Sequence, residues 1–230
     1  MNGFSIISII FLSATVITTV LSMILPIFKK KPLASKMLCS SLFLLTGISS
    51  AFCNGFSQYA CLMIAALFFG LLGDFWLDYQ KSKYFLVGVL FFSVGHLIYL
   101  YTFIFKLTPS LTPYTKQIIL GFLALCVAAI IEVFSDKIRF PKGRRIMIAY
   151  SFLLMFSFVF AVSRGVVSII NGNTVFGYCL VAAGGLFLIS DTFLAASLYG
   201  KPKLKCNDIL VAYTYFTAQA LFGLSILFLR

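Results

Sequence analysis

Long apolar runs, each closed by a short polar stretch, set the pattern of this chain. Eight runs approach or exceed the roughly 20 residues that a helix needs to cross a bilayer. They are Phe4–Phe28, Leu33–Phe52, Gln58–Leu77, Tyr84–Phe105, Thr115–Phe134, Ile146–Val167, Thr174–Leu198 and Asp208–Leu229. Membrane β-strands alternate apolar and polar positions. These runs are continuous, so the pattern predicts an all-α, polytopic transmembrane bundle of about eight helices, with residues 1–230 as a single transmembrane domain. The fifth run is the weakest, because Lys116 and Glu132 leave only a short uncharged interval. The first run is too long for a secretory signal core and has no basic stretch before it, so it reads as a retained span.

Composition sharpens this picture. Of 230 residues, 61% are hydrophobic and 10% are charged, and the mean hydropathy is +1.06. Soluble domains carry about a quarter charged residues, so a soluble enzyme is excluded, and so is a disordered chain. The net charge of +12 would suggest nucleic acid in a soluble protein. Here the basic residues sit in short loops. Fourteen lie in alternate loops, at Lys29–Lys36, Lys81–Lys83, Lys137–Arg145 and Lys201–Lys205; the other four are Lys106, Lys116, Arg164 and Arg230. That bias predicts cytosolic odd-numbered loops and both termini on the non-cytosolic side. No nucleic-acid partner is expected. The six cysteines show no CxxC spacing and lie mostly in apolar runs, where cysteine behaves as a small hydrophobe. No internal repeat of the kind that builds many transporters stands out.

Chemistry is carried by the polar residues within the apolar runs. A charge at membrane depth costs at least about 2.5–3.5 kcal/mol and normally faces the bundle interior. Asp74 and Asp78 lie four residues apart at the end of the third run, hence on one helix face. Asp78 reads most simply as an interfacial partner of Lys81 or Lys83, whereas Asp74 lies deeper, between Gly70, Gly73 and apolar neighbours. His96, the single histidine, falls near the middle of the fourth run, on a face with Phe92 and Tyr99. Asp191 follows Gly184 and Phe187 on one face of the seventh run, with no basic residue near it in sequence. Tyr215 and Gln219 share a face of the last run, where bonding between helices competes with substrate contact. One histidine without neighbouring cysteines cannot fill a zinc shell, so no metal is expected. Serine-elbow, HExxH, P-loop and GxGxxG motifs are missing. Any catalysis would run on carboxyls, histidine, tyrosine and water, without a cofactor.

The order and spacing of these residues resemble the YhhN family of integral membrane proteins, the lysoplasmalogenases. The matching pieces are Lys31-Pro32-Leu33, Gly73-Asp74, Phe85-x-x-Gly88, Gly95-His96-Leu97-Ile98-Tyr99, Ser190-Asp191 and Tyr215-x-x-x-Gln219. The resemblance implies hydrolysis of the vinyl ether bond of a lysoplasmalogen, giving a fatty aldehyde and glycerophosphocholine or glycerophosphoethanolamine. Vinyl ethers hydrolyse through protonation of the β-carbon, so one carboxyl must hold a proton while a second group is anionic. Two aspartates in one low-dielectric cavity do not easily ionise together. On this reading Asp74 and Asp191 are the acid/base pair, and His96 and Tyr99 orient water or the ether oxygen. Asp78, Ser190, Tyr215, Gln219 and Lys31 are the expected substrate contacts, the lysine through the lipid phosphate. Partners are a lysophospholipid and membrane lipids, with a homodimer open. Two alternatives stand beside this reading: a small proton-coupled transporter, and a lipid-binding membrane protein without catalysis.

Overall fold

The computed structural model describes residues 3–24, 32–79, 84–107, 144–199 and 207–229. Seven helices account for nearly all of them: α1 (Gly3–Ile24), α2 (Pro32–Asn54), α3 (Gln58–Asp78), α4 (Phe85–Phe105), α5 (Arg144–Ile170), α6 (Thr174–Tyr199) and α7 (Asn207–Phe228). The described chain is all-helical. The predicted boundaries of these seven differ from the observed ones by at most a few residues, whereas the predicted span at Thr115–Phe134 lies outside the described residues. Helices α2 to α7 each contain a segment long and apolar enough to cross a membrane.

Backbone chemistry explains the regularity. In hydrocarbon every N–H and C=O must be satisfied within the protein, which leaves helices as the simplest continuous solution. Hydroxyls in the spans meet the same demand by bonding back one turn: Thr46 to the Leu42 carbonyl at 2.9 Å, Ser93 to Val89 at 2.8 Å and Thr102 to Ile98 at 2.7 Å. The α2–α3 turn carries Gly55 at a φ of +90°, and the Ser57 hydroxyl caps α3 by accepting from the Ala60 N–H.

The helices face two media. Ile10, Phe52, Leu97, Phe105 and Ile170 stand outward and more than half exposed, a liability in water and an ordinary lipid-facing surface in a bilayer. Inward, Phe43, Met63, Leu67, Phe103, Phe176, Leu180 and Ile226 close the core. Helix α7 is the most buried of the six candidate spans and packs against α1, α2, α3 and α6. Helices α5 and α6 approach closely at a pair of glycines. A Cβ on Gly177 would stand 2.4 Å from the Gly165 carbonyl oxygen, and one on Gly165 would stand 2.6 Å from that of Gly177. Only glycine at both positions permits this crossing.

Neighbours α4 and α5 run parallel. The Ser157 hydroxyl reaches the His96 carbonyl at 3.3 Å, and Arg164 reaches the Phe103 carbonyl, the same 61-residue offset further along both helices. The starts of α2, α4, α5 and α7 and the ends of α3 and α6 then share one end of the bundle.

Candidate active site

The polar residues singled out in the sequence converge near that end. Asp74 lies about 6 Å, four residues, from the end of α3, and is 1% exposed. Both its oxygens are engaged. Oδ2 accepts from the Ser40 hydroxyl at 2.6 Å and from the Tyr215 hydroxyl at 2.8 Å. Oδ1 faces the Lys36 ammonium at 3.4 Å. Two hydroxyl donors and a cation suit an ionised carboxylate, which accepts and never donates.

The network continues inward. Gln219 Nε2 donates to the Tyr215 oxygen at 3.3 Å, and Tyr99 donates to Gln219 Oε1 at 2.7 Å. With the Gln219 carbonyl occupied by Tyr99, its amide must turn its NH₂ to Tyr215, and the Tyr215 proton is then directed at Asp74. Helical spacing in α7 places Tyr215 and Gln219 on the face that meets α3, and Gly70 makes room for them: a Cβ there would stand 2.8 Å from Gln219 Nε2. Tyr99 and Gln219 therefore act on Asp74 through Tyr215.

Asp191 forms the second carboxyl centre. The Tyr150 hydroxyl, from the start of α5, donates to Asp191 Oδ2. The residue is partly exposed, and Asp74 lies within its electrostatic range. Between the two centres sits His96. Its ring packs on Phe187 at 4.8 Å, Tyr150 at 5.7 Å and Tyr99 at 6.1 Å between centroids. Phe187 in turn packs on Tyr215 at 5.5 Å, so aromatic contacts link both aspartates through the histidine. His96 is 3% exposed, and among the described residues neither ring nitrogen has a hydrogen-bond partner.

The remaining predicted site residues are placed differently. The Ser190 hydroxyl donates to the Val211 carbonyl at 3.0 Å, which ties α6 to α7. Asp78 is half-buried on the last turn of α3. Lys31 lies outside the described residues. Three partners escaped the sequence reading: Lys36, Ser40 and Tyr150. Lys36 and Ser40 stand four residues apart on one face of α2, a pairing visible in sequence once the helix is taken to begin at Pro32. No local signal marks Tyr150. Among the described residues no three His, Cys, Asp or Glu side chains come together as metal ligands.

Apolar helices long enough to cross a bilayer, with two aspartates held by tyrosines among them, mark an integral multi-pass membrane protein. The chain belongs to the YhhN family, whose profile matches residues 30–226. It is also similar to a protein of Dictyostelium discoideum named lysoplasmalogenase homolog, with 28% identity over 159 residues that cover 61% of this chain and 52% of that relative. The match thus spans about half the length of the relative. No solved structure matches the chain.

Proposed function

We propose that the chain is a membrane-embedded lysoplasmalogenase that cleaves the vinyl ether bond of lysoplasmalogens by carboxyl acid/base chemistry. The observation that carries this reading is the difference between the two aspartates. Asp74 is saturated by acceptor-type contacts and a cation. Asp191 is held at one oxygen by Tyr150 and is partly exposed. Asp74 is therefore the anion and Asp191 the proton carrier, an assignment the sequence alone left open.

In the reaction, the Asp191 proton moves to the β-carbon of the vinyl ether, and the π electrons form the new C–H bond. The ether oxygen shares a lone pair to give an oxocarbenium ion, stabilised by the Asp74 carboxylate. Water, held at the His96 imidazole, adds to the cationic carbon and returns a proton to Asp191. The hemiacetal then collapses: its O–H proton passes to the glycerol oxygen as that C–O bond breaks, releasing aldehyde and glycerophospho-alcohol. Lys36, 22% exposed and reaching inward to Asp74, is the cation on hand for a lipid phosphate. Family membership and the similar Dictyostelium protein support this activity.

The test uses purified protein in detergent, with lysoplasmenylethanolamine beside its lyso-ester analogue and a trap for free aldehyde. Aldehyde from the vinyl ether alone is the expected result. Release from neither lipid by folded protein would overturn the proposal and turn attention to flux assays in liposomes.

A further inference from the structure

Packing alone does not call for a hydroxyl on residue 99. The Tyr99 ring stacks on Phe103 with centroids 6.0 Å apart and lies tilted over Phe222 at 4.7 Å, in an aromatic wall where phenylalanine would pack equally well. The residue is 2% exposed, and a hydroxyl taken out of water costs free energy unless it finds a partner. Its partner is Gln219, itself 1% exposed, and their bond of 2.7 Å joins α4 to α7. A lone pair of this kind would serve only to hold two helices together. Gln219, however, passes the hydrogen bond on.

Gln219 Nε2 donates to the Tyr215 oxygen at 3.3 Å, and Tyr215 donates to Asp74 Oδ2 at 2.8 Å. The Tyr215 ring is fixed on this line. Phe43, Phe92, Phe187 and Phe216 pack on it with centroids 5.0–6.2 Å away. The freedom left to Tyr215 is rotation of its O–H bond, and an oxygen that accepts from Gln219 turns its own proton to another acceptor. The Gln219 amide has a matching freedom. Its O and NH₂ ends are nearly alike in shape and exchange places by a half turn. The Tyr99 proton decides between the two arrangements. It needs an acceptor, so it holds the Gln219 oxygen on its own side and leaves the NH₂ facing Tyr215.

We propose that Tyr99 and Gln219 are positioning residues that reserve the anionic role for Asp74. They act by keeping the Tyr215 proton on Asp74 Oδ2, rather than by orienting water or lipid. Without the Tyr99 hydroxyl, the Gln219 oxygen would be buried and unpaired, a costly state. A half turn of the amide relieves it by offering that oxygen to Tyr215, whose proton then leaves Asp74. Asp74 would keep Ser40 but lose one of its two hydroxyl donors, and the distinction between the two aspartates would weaken. The effect on catalysis rests on the lysoplasmalogenase reading; the direction of the hydrogen bonds does not.

A double-mutant cycle between Tyr99→Phe and Tyr215→Phe tests this, because it separates action through a network from independent effects. Both changes keep the rings. On a lysoplasmalogen, Tyr99→Phe should lower kcat about tenfold, the lower end of what one hydrogen bond to a charged group is worth, with KM within about twofold of wild type. It should have no further effect in Tyr215→Phe, and Gln219→Leu should match it. The infrared carboxylate band that Asp74→Asn removes, followed in protein with isotope-labelled aspartate, gives a readout without substrate. That band should shift in Tyr99→Phe, and should not respond when Tyr99→Phe is added to Tyr215→Phe. An unmoved band in Tyr99→Phe overturns the inference whether or not lipid is turned over. So does a loss of kcat that persists in full in the Tyr215→Phe background, which would mean that Tyr99 acts on substrate directly or on packing. Wild-type protein that shows the band shift but releases no aldehyde would overturn the lysoplasmalogenase reading and leave the positioning role in place.

Discussion

Replacing His96 by phenylalanine separates a working histidine from a packed one. The imidazole sits among Phe187, Tyr150 and Tyr99 with ring centroids 4.8 to 6.1 Å away, and both nitrogens are buried without partners among the described residues. Leaving a buried polar group unsatisfied costs about 1–3 kcal/mol, whereas an apolar group of similar shape is neutral or stabilising. Phenylalanine keeps the edge-to-face contacts and removes two such atoms. The folded state should therefore gain about 1–3 kcal/mol, after allowing for the larger ring, or stay level if a bound water already serves the nitrogens. For a chain of this size that corresponds to a rise of a few degrees in the unfolding midpoint. Turnover should move the other way. Positioned acid, base or water-orienting groups contribute about 10²–10⁴-fold, so kcat for aldehyde release should fall by at least about 10²-fold. The assay pairs thermal unfolding in detergent with steady-state kinetics on a lysoplasmalogen. Turnover within twofold of wild type in a protein at least as stable would refute a catalytic role for His96. A less stable protein with unchanged turnover would show that the ring serves packing alone.

Three further perturbations follow from the same geometry. Asp191→Asn keeps an acceptor for Tyr150 but loses the transferable proton, so turnover should fall about 10²–10⁴-fold with the fold intact; Tyr150→Phe removes one hydrogen bond to a neutral carboxyl, about 0.5–1.5 kcal/mol, and should cost about 2- to 10-fold in kcat. Lys36→Gln takes the cation from Asp74 and should slow turnover about tenfold while raising KM for phosphate-bearing substrates, with Lys36→Arg recovering most of both; steady-state kinetics with and without the headgroup phosphate reads this directly. Gly177→Ala forces a Cβ to within 2.4 Å of the Gly165 oxygen and should destabilise the α5–α6 crossing by about 1–3 kcal/mol, seen as a lower unfolding midpoint without a change in substrate preference.

The spans were legible in the sequence because bilayer crossing leaves little freedom: a continuous apolar run of sufficient length must be helical. Asp74, His96 and Asp191 were legible for a related reason, since a titratable group in such a run stands out against its neighbours. Their partners were not. Lys36 reads as one more loop charge until α2 is seen to begin at Pro32, which puts the lysine a full turn inside the helix and above Asp74. Tyr150 looks like an interfacial aromatic, and only the packing of α5 on its neighbours brings its hydroxyl to Asp191. Tyr99 and Gln219 were both visible as polar residues in apolar runs. Their joint role depends on a hydrogen bond across 120 residues, which no local pattern encodes. Arg164 was counted only toward topology, and its bonds to the Phe103 and Ile104 carbonyls arise only from the packing of α5 beside α4.

The central claim is that Asp191 protonates the β-carbon of a vinyl ether. Turnover of a lysoplasmalogen in deuterium oxide, with immediate trapping of the aldehyde and mass spectrometry of the trapped product, tests it most directly. The account predicts one deuterium per molecule on the carbon next to the aldehyde carbonyl, and loss of that product in Asp191→Asn. Aldehyde without deuterium, or labelled aldehyde formed at the wild-type rate by Asp191→Asn, would contradict it.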